Sequence, residues 1–141
     1  MGRDVFHQIY YHVVWATAQR APVLAAHRGR AVVAITTVAR RFGAHVLACN
    51  TMPDHVHLLV SLPPLDLAQF VGRVKGGSAY ALNQGQEVEN RLRWQDGYGV
   101  VSLRSSDTAT VIRYIENQDQ IHTERNAWPT LEQIEPEAVP S

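Results

Sequence analysis

Lysine is almost missing from this chain, with Lys75 the single example among 141 residues. Basic and acidic side chains number thirteen each, so the formal net charge is +0, which argues against a protein that coats duplex nucleic acid by bulk electrostatics. Cysteine is as scarce. Cys49 stands alone, which excludes an intrachain disulfide and suits a reducing compartment. No apolar run is long enough to span a bilayer and no charged-then-apolar segment opens the chain, so a cytoplasmic protein without membrane attachment is expected. The glycines of VKGGSAY (74–80) are not followed by the Gly-Lys-Ser/Thr order of a phosphate-binding loop, and a nucleotide cofactor is not expected.

What is present suits one soluble domain over residues 1–141, since 45% of the residues are hydrophobic and 18% charged. The charge is unevenly spread. Residues 1–85 hold seven arginines and Lys75 against three aspartates, net +5, while residues 86–141 are net −5. One half is therefore suited to face phosphates, or the halves neutralise each other in the fold.

FHQIYYHVVWATA (6–18) is aromatic and β-branched with partial alternation, and predicts a strand. HRGRAVVAITTVARRFG (27–43) spaces Val32, Ile35, Val38, Ala39 and Phe42 at helical intervals and stops at Gly43. AHVLACNTM (44–52) and HVHLLVSL (55–62), divided by Pro53-Asp54, predict a hairpin. After Pro63-Pro64, Asp66 is placed to cap a second helix with Leu67, Phe70, Val71 and Val74 inward. Residues 83–97 read as a loop and GYGVVSL (97–103) as a fourth strand. Asp107 is placed to cap a third helix through TATVIRYIENQ. The order β-α-β-β-α-β plus a terminal helix predicts an α+β, ferredoxin-like (RRM-like) antiparallel sheet with helices on one face, and a C-terminal helix carrying Tyr114. The core is expected over about residues 6–122. The tail from about residue 128, with Pro129, Pro136 and Pro140 among acids, lacks periodicity and is expected to be peripheral.

Within this frame His55 and His57 point to the same face of their strand, because side chains alternate along it. They suit either a metal ion held between them or two polar residues on an exposed face. Tyr114 and Gln118 are four residues apart and share a helical face, offering a phenol oxygen and an amide carbonyl. Tyr114 equally suits a place in the core beside Val111 and Ile115, and Gln118 a place in solvent. Arg73 and Lys75 are candidates for a DNA backbone, and Tyr10, Tyr11, Trp15, Trp94 and Tyr98 for stacking on bases, although most of these aromatics are expected in the core. His12 and His122 are further candidates for the margin of the site, with an ordinary place in the fold the safer reading of both.

The stretches YHVVWAT (11–17), MPDHVHLLV (52–60), VKGGSAY (74–80), WQDGYGVVSL (94–103) and YIENQ (114–118) resemble, in this order, the single-tyrosine HUH transposases of bacterial insertion sequences and their REP-associated relatives. The resemblance implies that His55, His57 and Gln118 bind a catalytic metal, Mg²⁺ or Mn²⁺, and that Tyr114 is the nucleophile. Imidazole ligands favour manganese of the two. It further implies cleavage and rejoining of single-stranded DNA through a 5′-phosphotyrosine at hairpin-bearing ends, by a homodimer. The alternative is a silent or domesticated binder of DNA hairpins. A site shared between chains is favoured, because exchanging a terminal element is a low-cost route to a dimer. The chain departs from the family in having Ile121 and Thr123 beside His122 where a second histidine is common.

Overall fold

The computed structural model describes residues 6–64, 66–87 and 91–136. Four strands, β1 (Tyr10–Ala16), β2 (His45–Met52), β3 (His55–Ser61) and β4 (Gly99–Leu103), form one sheet in the order β2-β3-β1-β4. Each neighbouring pair is antiparallel. Helix α1 (Arg28–Arg41) joins β1 to β2 and helix α2 (Leu67–Asn83) joins β3 to β4, so β1 and β3 take the centre as two interleaved β-α-β units require.

Local chemistry explains most of these boundaries. Helix α1 ends where Gly43 adopts φ +97°, a left-handed conformation that a Cβ disfavours. Asp66 accepts a hydrogen bond from Gln69 N at 3.1 Å and caps α2 as the sequence predicts. Met52 pairs with His55 across the Pro53-Asp54 turn, a two-residue hairpin. Asp107 departs from expectation: it precedes the third helix but makes no side-chain capping bond. That helix also stops early. It runs as α3 (Thr108–Glu116), breaks at Asn117 and resumes as α4 (Gln118–Thr123), and a last turn α5 (Pro129–Glu132) follows.

Two apolar layers sandwich the sheet. Val13 and Trp15 of β1 and Val56, Leu58 and Val60 of β3 pack with Ile35, Val38, Phe70 and Val74 of α1 and α2. Leu59, Ala48, Val111, Tyr114, Ile115 and Leu131 form the second layer on the opposite face. The expectation of helices on one face therefore holds for α1 and α2 alone, and α3 covers the other side. This is why β3 is buried on both faces rather than alternating, as a central covered strand must be. A shift of register between Val46 and Ala48 reverses the phase of β2. Val46 and Cys49 pack in the first layer and Leu47 and Ala48 against the second, so the bulge aims Asn50 at the terminal helices. There Asn50 Nδ2 donates to Ile115 O at 2.9 Å, satisfying a carbonyl that the helix break leaves open.

The tail is not peripheral over its described part. Leu131 is 1% exposed, and Gln133 O lies where a Cβ on Gly99 would stand, 1.8 Å from the ideal position. A glycine at 99 is therefore what lets the segment lie flat across β4. Among the described residues no helix is long and apolar enough to cross a membrane.

Candidate active site

The register of the hairpin sets the site. His57 pairs with Asn50 on one side and Val14 on the other, and Val14 pairs with Gly99, so one row crosses the sheet beneath the terminal helices. His55 lies two residues earlier on the same face, with its ring centroid 5.0 Å from that of His57. Both rings are oriented from behind. His55 Nδ1 donates to Asp54 Oδ1 at 2.7 Å, and Asp54 is held by Arg20 Nε at 3.0 Å and by Thr17 N on its backbone oxygen at 2.9 Å. His57 Nδ1 lies 2.9 Å from His12 Nε2. A carboxylate can only accept, so His55 carries its proton on Nδ1 and turns Nε2 toward the site.

His12, from sequence a candidate for the margin of the site with an ordinary place in the fold the safer reading, is thus part of the site. It is 1% exposed, and burial, with His57 alongside, pushes its pKa down to about 3 against an opposing pull from Glu132. A neutral His12 serves as acceptor for a proton on His57 Nδ1, leaving His57 Nε2 free as a ligand. Burial likewise lowers the pKa of His57, partly offset by Glu132. Burial also opposes charge on His55, but the carboxylates of Glu132 and Asp54 outweigh it and raise its pKa.

Helices α3 and α4 bring the other groups. The Tyr114 ring stands edge-on to His57 with centroids 5.9 Å apart, and burial together with the neighbouring Glu132 pushes its phenol up to about 12. Its hydroxyl donates to Glu132 Oε2 and accepts from Trp128 N at 2.8 Å. Although Asn117 interrupts the helix, Gln118 Nε2 still donates to Tyr114 O at 3.0 Å. Gln118 is fully buried, not solvated, and its Oε1 lies 2.9 Å from His122 Nε2. His122, one turn further along, therefore also belongs to the site.

Glu132 was not legible as a site residue. Its Oε1 is 3.1 Å from His55 Nε2 and 3.5 Å from His122 Nε2, and its Oε2 is 3.1 Å from His57 Nε2. These imidazoles hold its carboxyl well below the usual range although burial opposes the charge. One ligand atom from each of His55, His57, His122 and Glu132 falls within 4.8 Å of the others, a group able to hold a metal ion. His55 Nε2 and His57 Nε2 are buried and make no hydrogen bond, near as the carboxylate is. Two imidazole nitrogens gathered around one carboxylate fit a divalent cation by donor chemistry.

The proposed DNA contacts fare less well. Trp15 is fully buried, edge-on to Trp94 at 5.7 Å, and so cannot stack on a base. Lys75 Nζ donates to Gln95 O at 2.8 Å and Gly97 O at 2.9 Å, which spends the ammonium on fastening the loop before β4. Arg73 lies over the Phe42 ring at 5.1 Å and remains exposed, while Tyr10 is half-buried. Tyr11, Trp94 and Tyr98 pack against the first apolar layer.

A two-histidine strand thus faces a helical tyrosine beside a cluster able to hold a metal ion. The family model described as "Transposase IS200 like" matches residues 5–118, and the chain belongs to that family of single-tyrosine HUH transposases. It is 30% identical over 124 residues to the ISDra2 transposase TnpA of Deinococcus radiodurans, covering 83% of this chain and 89% of that protein. It is also 30% identical over 115 residues to the transposase for insertion sequence element IS200 of Salmonella typhimurium, covering 77% and 75%. A crystal structure of a Deinococcus radiodurans transposase superposes with TM-score 0.61 at 29% identity, over 84% of this chain and 96% of that one. A REP-associated tyrosine transposase bound to a REP hairpin shares the fold, with TM-score 0.61 at 19% identity over 89% and 80%.

Proposed function

We propose that this chain cuts and rejoins single-stranded DNA at hairpin-bearing ends, with Tyr114 as nucleophile on a ferredoxin-like sheet. The observation that carries the reading is the convergence of His55 Nε2, His57 Nε2 and the Tyr114 hydroxyl on one point, the Glu132 carboxylate. In the reaction Tyr114 Oη bonds to the scissile phosphorus and the bond from phosphorus to the 3′ oxygen breaks. The products are a 5′-phosphotyrosine and a 3′-hydroxyl that takes up the proton the phenol gives away. Attack by another 3′-hydroxyl reverses the step and joins new ends without ATP.

A phenol pushed up to about 12 is a poor nucleophile at neutral pH, so charge stabilisation must come from the site. Mg²⁺ or Mn²⁺ held by His55, His57 and Gln118 or its neighbour His122 would polarise a non-bridging phosphate oxygen. Asp54 and His12 keep the two ligand rings aimed, while the Gln118 amide holds the start of α4 against the turn bearing Tyr114. The protein is proposed to act as a homodimer, on the family's example and not on a contact within this chain. The fold likeness to the hairpin-bound relative supports a hairpin substrate.

The test is cleavage of a labelled single-stranded oligonucleotide carrying a hairpin. Cleavage is expected with Mn²⁺, and should disappear with excess EDTA or with His55→Ala and His57→Ala. Cleavage that persists in EDTA overturns the metal role.

A further inference from the structure

Glu132 comes from outside the five stretches that carry the family resemblance and yet sits at the middle of the site, which asks what a half-buried carboxylate does there. Burying an anion costs several kcal/mol unless a cation or a dense set of donors compensates. The nearest group is the Tyr114 hydroxyl, which donates to Glu132 Oε2, and His55 Nε2 and His57 Nε2 follow at 3.1 Å each. Both nitrogens stand at ion-pair distance from the carboxylate, in places a shared cation would also take. Both rings have their other nitrogen engaged, by Asp54 and by His12. The Gln118 carbonyl, a neutral oxygen able to serve as a ligand, lies against His122.

The chain delivers this carboxylate by several attachments. Trp128 N donates to the Tyr114 hydroxyl at 2.8 Å, and the Trp128 ring stands edge-on to that of Tyr114 at 6.0 Å. Leu131 is buried in the second apolar layer. Gln133 O crosses over Gly99, which leaves it room, and Gln95 Nε2 donates to Glu135 Oε1 at 3.1 Å. Gly99 stands in the same cross-sheet row as His57, with Val14 between them, so the crossing at 133 brings residue 132 over the histidines.

We propose that Glu132 is a protein ligand of the site's divalent cation, alongside His55 and His57, so that metal binding fastens the segment 128–135 across the site. This rests on the metal-dependent reading above. A carboxylate is a hard oxygen donor suited to Mn²⁺ and Mg²⁺, and it completes a set that imidazoles alone would bias toward softer ions. It also has a consequence for substrate. Glu132 Oε2 lies between the Tyr114 hydroxyl and His57 Nε2, where a non-bridging oxygen of a scissile phosphate would have to stand. Carboxylate and phosphate are alternatives at that place, and DNA must displace Glu132 to reach the tyrosine.

The experiment is Mn²⁺ binding to the full chain, by calorimetry and by the electron paramagnetic resonance of free Mn²⁺, for the wild type, Glu132→Gln and His55→Ala. Hydrogen exchange of residues 128–135 is followed with and without the ion. Glu132→Gln, which keeps shape and removes charge, is expected to weaken Mn²⁺ roughly tenfold or more. Exchange over 128–135 should slow with Mn²⁺ in the wild type, and a hairpin-ended single-stranded oligonucleotide should reverse the slowing. If His55→Ala loses Mn²⁺ while Glu132→Gln binds it as the wild type does, the carboxylate is no ligand and this proposal alone falls. If His55→Ala also binds normally, the ion lies elsewhere and the functional reading falls with it. Should Glu132→Gln fail to fold, the wild-type exchange decides, and rates over 128–135 that ignore Mn²⁺ overturn the proposal.

Discussion

Replacing Gly99 by alanine tests the placement of the C-terminal segment without touching any group of the site. The added Cβ would stand 1.8 Å from Gln133 O, 2.9 Å from Gln133 C and 3.0 Å from Val14 Cγ1. A comfortable carbon-to-oxygen separation is about 3.3 Å, so the carbonyl must retreat by about 1.5 Å, and it is backbone rather than the end of a flexible side chain. If the segment stays and the neighbours absorb the shift, overpacking costs about 1–3 kcal/mol. If it lifts, Leu131 loses burial worth about 1.5–3 kcal/mol. Both routes give a similar destabilisation, which for a chain of this size lowers Tm by about 3–10 °C. Hydrogen exchange separates them, because lifting speeds exchange over 128–135 whereas strain within the sheet speeds it around Val14 and Gly99. Gly72→Ala is the internal control. Gly72 lies within α2 with nothing within 4 Å of its added Cβ, so that variant should gain about 0.5–1 kcal/mol. A Gly99→Ala protein with unchanged Tm and unchanged exchange would refute the reasoning, since the segment could not then lie where Gln133 covers residue 99.

Further outcomes follow from the same geometry. His12→Phe keeps the bulk but removes the partner of His57 Nδ1, and Mn²⁺ affinity by calorimetry should fall about 10–100-fold; unchanged affinity would show that His57 needs no such orientation. Cys49, whose thiol burial pushes up to about 12, should react with iodoacetamide at pH 8 far more slowly in the folded protein than in denaturant, and equal rates would contradict its packing. Tyr114 meets the histidines of its own chain, in contrast to the shared arrangement favoured from sequence. Mixing Tyr114→Phe chains with His55→Ala/His57→Ala chains under subunit exchange should therefore leave cleavage dead, and its recovery would show a site built from two chains.

The elements that announced themselves are those whose signal is local. Partial alternation marked β1, the apolar runs on either side of Pro53-Asp54 marked β2 and β3, the 3.6-residue spacing marked α1 and α2, and the placement of His55 and His57 on one face followed from the pleat alone. His12 could be named only as a candidate at the margin of the site, because its role depends on the pairing of β1 with β3. His12 pairs with Leu59 and Val14 with His57, which makes His12 a diagonal neighbour of His57, and no single strand displays that register. His122 had a faint local signal, lying one helical turn beyond Gln118. Glu132 had none. A segment held by single anchors, Leu131 in the core and a backbone carbonyl over Gly99, has no period to read, and the composition of the tail suggested an unattached surface stretch. Burial of Trp15 and the fastening of Lys75 likewise depend on elements distant in sequence, α1, α2 and the loop before β4.

The central claim is that the Tyr114 hydroxyl is the group that attacks DNA. Incubating the protein with Mn²⁺ and a hairpin-bearing single-stranded oligonucleotide, then digesting and sequencing the covalent adduct by mass spectrometry, tests it most directly. The account predicts a 5′-phosphotyrosine on Tyr114 that forms only with the ion and is absent from Tyr114→Phe. An adduct mapped to Tyr80, Tyr98 or any other residue would contradict it.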